Sequence, residues 1–417
     1  MKKIFKFAML FATALVMNAT FTSCSDDDDD PVVEPNQMTE KEQAMKDLTA
    51  QYVNNVIFPI YTSLANQSDD LFNKLVEAKA KLRAGTLAQS DIDAICSVFL
   101  STRSAWEQSE AFLYGAATDW GIDPHIDTWP LDRTALAVAL SNKEAIAVLD
   151  DIEGGAIENA RVQVGEQQLG FHGIEFILFR EGKNRTVEAL MGTETDNAFA
   201  GRNITGEEEL VFAAAVAGDL RDKCFQLEVS WLGEKAAKAH RERVEECEFN
   251  TTVGGGEYYY GENIINATQA GSTYASWRGV MNTILVAGCS NICAEVSGQK
   301  IGQAYTGEDT NYIESPYSQR SYYDFFDNIT SVQYALNGQM SAQPHANSIM
   351  AYLQKYNPDM AADLQEDLNK ALQVLTTAKA GTPFVLDYHS ANAKAAMDAI
   401  NELDEELNEA AEWIAAN

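Results

Sequence analysis

Positive charge is what this chain of 417 residues has least of: 30 lysines and arginines stand against 62 aspartates and glutamates, a formal net charge of -32. That excludes nucleic acid and anionic membrane surfaces as natural partners, because both are recognised through basic patches. It leaves cations as the species that the protein's field attracts. Proline is scarce, with 9 residues, and no stretch sustains polar–apolar alternation, so strands are at most a minor element. No two cysteines are spaced Cys-x-x-Cys, which removes a zinc ribbon and a dithiol redox motif. None of the five histidines is followed by glutamate, so the His-Glu-x-x-His signature of zinc peptidases is missing. Beyond the N-terminus, no segment reads as long and apolar enough to span a bilayer.

The N-terminus itself has a clear pattern. Lys2, Lys3 and Lys6 precede a mostly apolar stretch over 4–19, too short for a comfortable membrane span, and small residues then lead to Cys24. This predicts a signal peptide over 1–23. Phe21-Thr22-Ser23-Cys24 resembles a lipoprotein cleavage box, with phenylalanine where leucine is usual, and implies a lipid anchor on Cys24. Residues 24–38, with five successive aspartates at 26–30, read as an acidic flexible tether. It is either a plain spacer or a surface-sorting signal. The expected location is the outer membrane, facing the periplasm or the cell surface, with the lipid as the membrane attachment. Five cysteines then remain, at 96, 224, 247, 289 and 293. The odd number leaves at least one thiol free, and most are expected to be small buried residues.

Helix formers dominate the chain from residue 39 onward. Thr39-x-x-Glu42 is a capping box, and Val53, Val56, Ile57, Ile60, Tyr61 and Leu64 recur at helical spacing. Pro59 predicts a kink, and Gly85 a C-terminal cap. Further helical runs are expected over 133–151, 157–179, 206–232, 235–248, 274–296, 322–338, 345–356, 360–380 and 392–416. The polar, glycine-containing stretch 182–206 is read as a domain boundary. The expectation is therefore an all-α protein of two packed helical bundles, 39–200 and 201–417. A small irregular or hairpin insertion is expected over 253–271, where three glycines and three tyrosines follow one another.

Three clusters carry potential chemistry. In Gly170-Phe171-His172-Gly173-Ile174-Glu175, His172 and Glu175 are three apart and share a helix face within reach of one ion. Their surroundings are apolar, so both must find partners, while Gly170 and Gly173 permit close approach of another element. Spacing alone favours a hydrogen-bonded structural pair over a ligand pair. Upstream, Ile92, Cys96, Phe99, Arg103, Trp106, Glu110 and Leu113 fall on one stripe, which places Arg103 and Glu110 where a core is expected. They either neutralise one another or turn Glu110 towards His172 and Glu175. A loop at 123–132 holds Asp123, His125, Asp127 and Trp129. Downstream, Ser318, Ser321, Asp324 and Asn328 form a third cluster, for which spacing alone favours a solvated helix start.

Together these clusters resemble the imelysin family, also classed as a peptidase family. The Gly-x-His-x-x-Glu segment 170–175 with its apolar tail looks like the family signature. Ala105-Trp106 through Glu110, Asp127-Thr128-Trp129-Pro130, and Ser318-x-x-Ser321-x-x-Asp324 with Asn328 look like its further blocks, in the same order. The resemblance implies two helical bundles with the motif near their junction, and an extracytoplasmic role linked with iron uptake. Candidate ligands are His172 and Glu175, joined by Glu110 and Asp127 and, more weakly, His125. Gly170, Arg103, Trp106, Trp129, Ser318, Asp324 and Asn328 would support them. One histidine among carboxylates suits iron, with zinc as the other choice. Three functions are consistent with these residues: a metal-binding uptake lipoprotein with a partner protein that receives its cargo, a metallopeptidase of the imelysin type, and a module binding a small non-metal ligand.

Overall fold

Thr39 opens the first helix as its capping box demands: its hydroxyl accepts from the Glu42 N–H at 3.2 Å while the Glu42 carboxylate takes the Thr39 N–H at 2.8 Å. The computed structural model describes residues 38–417, of which Thr39–Asn417 form one unit. The expected signal segment, Cys24 and the tether lie outside the described residues.

Among the described residues the fold is all-α with one small hairpin. Its first helix, Glu40–Tyr52, continues through a π turn, Val53–Ile57, into Phe58–Ala84. Pro59 explains the widened turn, because it lacks an N–H and its ring displaces the preceding carbonyls. Asn54 and Asn55 reach back to the carbonyls of Ala50 and Gln51. Gly85 ends the helix at φ +67°, as its position predicts.

Gly206–Leu232 is the central helix, and its composition says why. Its stretch 210–217 is apolar on every face, Thr205 and Glu208 give it a capping box, and it is buried along nearly its whole length, Glu209, Asp219, Asp222 and Glu228 included. Expected in the C-terminal bundle, it packs along Phe58–Ala84, with Lys143–Asp150, Ala156–Gln163 and Gly170–Leu178 around it. A second group joins Trp277–Thr306, Ser321–Asn337, Ile349–Tyr356, Pro358–Lys379 and Ala391–Ala416. Gln89–Glu107 touches both groups, packing on Phe58–Ala84 and on Ser321–Asn337.

Several expectations are corrected. The run 133–151 is two helices, because the Asn142 side chain caps the second by accepting from Glu144 and Ala145. The run 157–179 breaks into three, and its last part, Gly170–Leu178, starts afresh after extended Leu169. Of the two forms expected for 253–271, irregular or hairpin, the segment takes the irregular one. The hairpin comes directly after the motif, where Phe179–Arg180 pairs antiparallel with Lys183–Asn184. The glycine–tyrosine segment instead makes a bridge, Thr252 to Tyr259, and a short helix whose Tyr260 bonds Asp119 at 2.7 Å. Trp277–Thr306 is in fact long and apolar enough to cross a membrane, but 56% of its apolar window is buried in the protein, as in a core helix. His240, on a helix rich in lysine, arginine and glutamate, is nevertheless buried, stacked on Phe225 and 2.5 Å from Glu228. All five described cysteines are free thiols, four of them buried.

Gly170 shows how closely the motif is packed. It has φ +61°, and a Cβ there would fall 1.8 Å from the Ile126 carbonyl oxygen. Gly85 also has a positive φ but faces open space. Gly170→Ala is expected to destabilise the protein by about 3 kcal/mol or more, from strain and overlap together. Gly85→Ala should cost only about 1 kcal/mol. Urea unfolding of both variants beside wild type checks this, and equal small losses would contradict the packing described.

Candidate metal centre

The junction between the two helix groups is filled with charge rather than apolar side chains. Arg103, four residues before the end of Gln89–Glu107, projects inward with 3% exposure. Its guanidinium lies 2.5 Å from Glu107 and 2.6 Å from Glu314, bonds Asp127, and has Asp324 at 3.9 Å. The Phe171 ring covers it at 5.0 Å. Asp127 is the hub. It succeeds the short helix Ile122–Ile126, and besides Arg103 it accepts from the Trp106 indole at 2.7 Å and has His172 Nε2 at 3.0 Å. That last contact is close but poorly aligned, so Nε2 has no well-formed hydrogen bond.

His172 and Glu175 lie on the same face of Gly170–Leu178, with Nδ1 3.6 Å from Glu175 Oε2. The other oxygen, Oε1, is committed to the segment before Ser321–Asn337. It accepts from the Tyr317 N–H at 3.1 Å, the Ser318 N–H at 2.7 Å and the Ser318 hydroxyl at 2.7 Å. Ser315 and Gln319, at the two ends of this strap, both hold positive φ, 49° and 58°. Asn328 donates to Glu107 at 2.6 Å, and Ser315 to Asp324 at 2.5 Å. Trp129 stands beside the His172 ring, with centroids 6.1 Å apart.

The sequence-predicted residues therefore converge, with two qualifications. His125 is directed elsewhere: its Nε2 is 2.6 Å from Asp219, in a separate network with Arg161. Glu110 is buried in the cluster but faces Lys300 at 3.9 Å rather than His172. Three members were not anticipated. Glu107 comes four residues after Arg103, an i,i+4 pairing that sequence spacing could have shown. Lys300 is a lysine inside the apolar run of Trp277–Thr306, also a usable signal. Glu314 lies in a loop without pattern, and nothing marked it.

Among the described residues, the side-chain donor atoms of Asp127, His172 and Glu314 lie within 4.8 Å of one another, and all three side chains are buried. A second group, Glu107, Glu110 and Asp127, meets the same limit and shares Asp127. Glu314 Oε2 and Glu175 Oε2 are buried with no hydrogen-bond partner. Such orphaned carboxylate oxygens are costly unless a cation or proton takes them up. Oxygen donors with one imidazole fit iron or a related hard-to-borderline ion, so the residues present suit a metal. Arg103 is the competing cation in the same space.

The charge imbalance shows in the acidities. Burial pushes Glu314 up to about 7 and Asp123 up to about 7, with neighbouring carboxylates adding to the rise. Burial likewise drives Glu110 and Asp324 well above the carboxylate range. Burial alone would depress His172, but the carboxylates of Asp127 and Glu175 beside its two ring nitrogens lift it to about 9. Asp127 is the exception: burial opposes its ionisation, yet Arg103 and His172 hold it below its ordinary value.

Outside the cluster, a cleft of about 860 Å³ is lined by Pro130, Arg133, Arg180, Ile313, Tyr317 and Tyr388 among others. Its wall includes the strap that Glu175 holds. A groove of about 940 Å³ between Ile349–Tyr356 and Pro358–Lys379 shares no residue with the cluster.

A buried histidine–carboxylate site on a glycine-started helix, at the junction of two helix groups, is what the imelysin-like resemblance implied. The family model described as Imelysin matches residues 57–410, and the chain belongs to the imelysin family. It is similar to "Iron-regulated protein A" of Synechococcus elongatus, 25% identical over 324 residues, covering 78% of this chain and 73% of that protein. A crystal structure of an iron-regulated protein A precursor from Parabacteroides distasonis superposes with a TM-score of 0.66 at 21% identity, covering 91% of this chain and 96% of that one. An imelysin-like protein from Psychrobacter arcticum gives 0.54 at 15% identity, covering 89% and 93%. These two structures share the fold.

The raised acidities fix how stability depends on pH. Glu314 and Asp123 at about 7, with Glu209 also raised by burial to about 7, keep protons that the unfolded chain releases near pH 4. Their contribution is full below the unfolded values and falls as pH rises through 7. His172 acts in the same direction, full below its unfolded value of 6.5 and lost through about 9. Glu194, held at about 2, acts oppositely and is lost only in acid. Melting temperature of metal-free protein should therefore peak near pH 5 (roughly, from these values) and decline towards pH 9. Glu314→Gln should flatten the decline between 5 and 8. A melting temperature that climbs over that range would contradict the buried-acid description.

Proposed function

We propose that this protein binds one metal ion, iron, at Asp127, His172 and Glu314, and that it does so as a lipid-anchored outer-membrane protein serving metal uptake. The observation that carries the reading is the convergence of those three buried donors beside an orphaned Glu314 oxygen. Two further facts support it. The Synechococcus relative carries iron regulation in its name, and the net charge of -32 concentrates cations around the molecule. Bound there, the metal supplies positive charge to a cluster where Glu107, Glu110, Asp127, Glu175, Glu314 and Asp324 outnumber Arg103, Lys300 and His172.

The protein's own residues divide the labour. Asp127 and His172 present an oxygen and a nitrogen towards each other, and Trp106 fixes the Asp127 carboxylate through its indole N–H. Glu175 ties the strap at Tyr317 and Ser318 to the motif helix, and so keeps Glu314 in register with His172. His172 must surrender its proton to become a ligand, so metal binding releases a proton and strengthens as pH rises.

A metallopeptidase is the second reading, favoured by the family's classification among peptidases. It needs an open coordination position for water that a peptide can reach. Asp127, His172 and Glu314 are 3%, 2% and 0% exposed, which ranks hydrolysis below binding. The lipoprotein reading rests on 1–38 and asks for palmitate labelling that is lost in Cys24→Ser, with protease accessibility on whole cells to assign the membrane face.

Elemental analysis and metal-titrated melting curves on wild type beside His172→Ala test the site. One equivalent of iron is expected in wild type, with a melting shift that grows with free metal. His172→Ala should lose both while remaining folded by circular dichroism. Metal uptake unchanged in the variant would sink the assignment. Chelator-sensitive cleavage of an unfolded protein substrate would move the peptidase reading into first place.

A further inference from the structure

The two donor groups overlap at Asp127, so the cluster offers positions for two cations: one at Asp127, His172 and Glu314, the other at Glu107, Glu110 and Asp127. Two metal ions bridged by a shared carboxylate are a common arrangement, about 3.5–4 Å apart. Here the second position lies against a lysine. Lys300 Nζ stands 3.1 Å from Glu314, 3.7 Å from Glu107 and 3.9 Å from Glu110, with the side chain fully buried. The Trp129 ring lies 5.1 Å from the ammonium. Only Glu314 is within hydrogen-bond distance, so the ammonium sits among three carboxylates much as a small ion would. A buried lysine is tolerated only where opposite charge meets it. Asn328 holds the Glu107 oxygen that faces Lys300, at 2.6 Å, and Arg103 holds the other at 2.5 Å. The Glu107 side of the cluster is thus organised around a protein cation. On the His172 side, Arg103 and Lys300 both meet Glu314 through Oε1, at 2.6 and 3.1 Å, and its Oε2 is left without a hydrogen-bond partner.

We propose that Lys300 is a built-in second cation, which fills the Glu107–Glu110 position and limits the cluster to a single metal ion. This rests on the metal reading above. Removing the ammonium without removing a carboxylate should open that position, so the number of ions bound should rise from one to two.

The probe is Co²⁺, titrated calorimetrically into the full-length protein, with bound cobalt counted by elemental analysis after desalting. Wild type should bind one equivalent, and Lys300→Met and Lys300→Gln two. One equivalent in the folded variants, or two in wild type, would overturn the proposal while leaving the metal site standing. No cobalt, iron or zinc bound by wild type would remove the metal reading and this proposal with it. Because either variant can fail to fold, wild type provides an independent readout. Lys300 should resist acetylation by an N-hydroxysuccinimide ester equally with and without Co²⁺, as followed by peptide mass spectrometry. Reactivity at Lys300 that appears on metal loading would show it displaced by the ion and overturn the proposal.

Discussion

Arg103 cannot lose its charge in a protein and cannot reach water here, so its surroundings have to be built to suit it. Glu107 from its own helix, Asp127 from the turn after Ile122–Ile126, Glu314 from the loop before Ser321–Asn337 and Asp324 from that helix all turn towards it. In satisfying one guanidinium, the fold draws four carboxylates into a space without solvent. Lys300 and His172 then answer the excess that results. The contact between the two helix groups is thereby an electrostatic joint as much as an apolar one. Removing one member leaves the others uncompensated, which is the expensive direction for buried ions.

The signature helix shows how two neighbouring polar residues take unlike roles. His172 faces the hub and Trp129, whereas Glu175 spends one oxygen on three donors of the strap. From spacing they look like equal partners. In the folded protein one belongs to the charged centre, and the other ties a distant loop to it. Gly170 makes both possible by letting the helix begin against the Ile126 backbone, one residue before Asp127.

Legibility tracked the range of the interaction. Thr39, Gly85 and the whole of Gly206–Leu232 were readable because caps and apolar periodicity are local. His172, Glu175, Arg103, Asp127, Ser318, Asp324 and Asn328 were recognisable through their resemblance to family blocks, and the structure brings them together. What escaped was either a cap inside an otherwise helical run or a residue set by distant partners. Asn142 interrupts a helix by a side-chain cap that competes with propagation. Glu314 takes its meaning from Arg103 and Lys300 and has no motif of its own. His125, promising in an aspartate-rich loop, turns to Asp219 because the packing of the short helix Ile122–Ile126 on Gly206–Leu232 puts that carboxylate within reach.

The wide separation of the cluster's members along the chain governs when the centre can exist. Arg103 and Glu314 are 211 residues apart, and Glu175 and Ser318 are 143 apart. Contacts of that span close large loops and form late, once the intervening helices have condensed. A chain still emerging holds Arg103, Asp127 and His172 in water, each solvated by itself, with Glu314 not yet in reach. The centre is thus assembled only once Ser321–Asn337 has docked, and in a truncated or half-folded chain these carboxylates and cations meet water instead of one another.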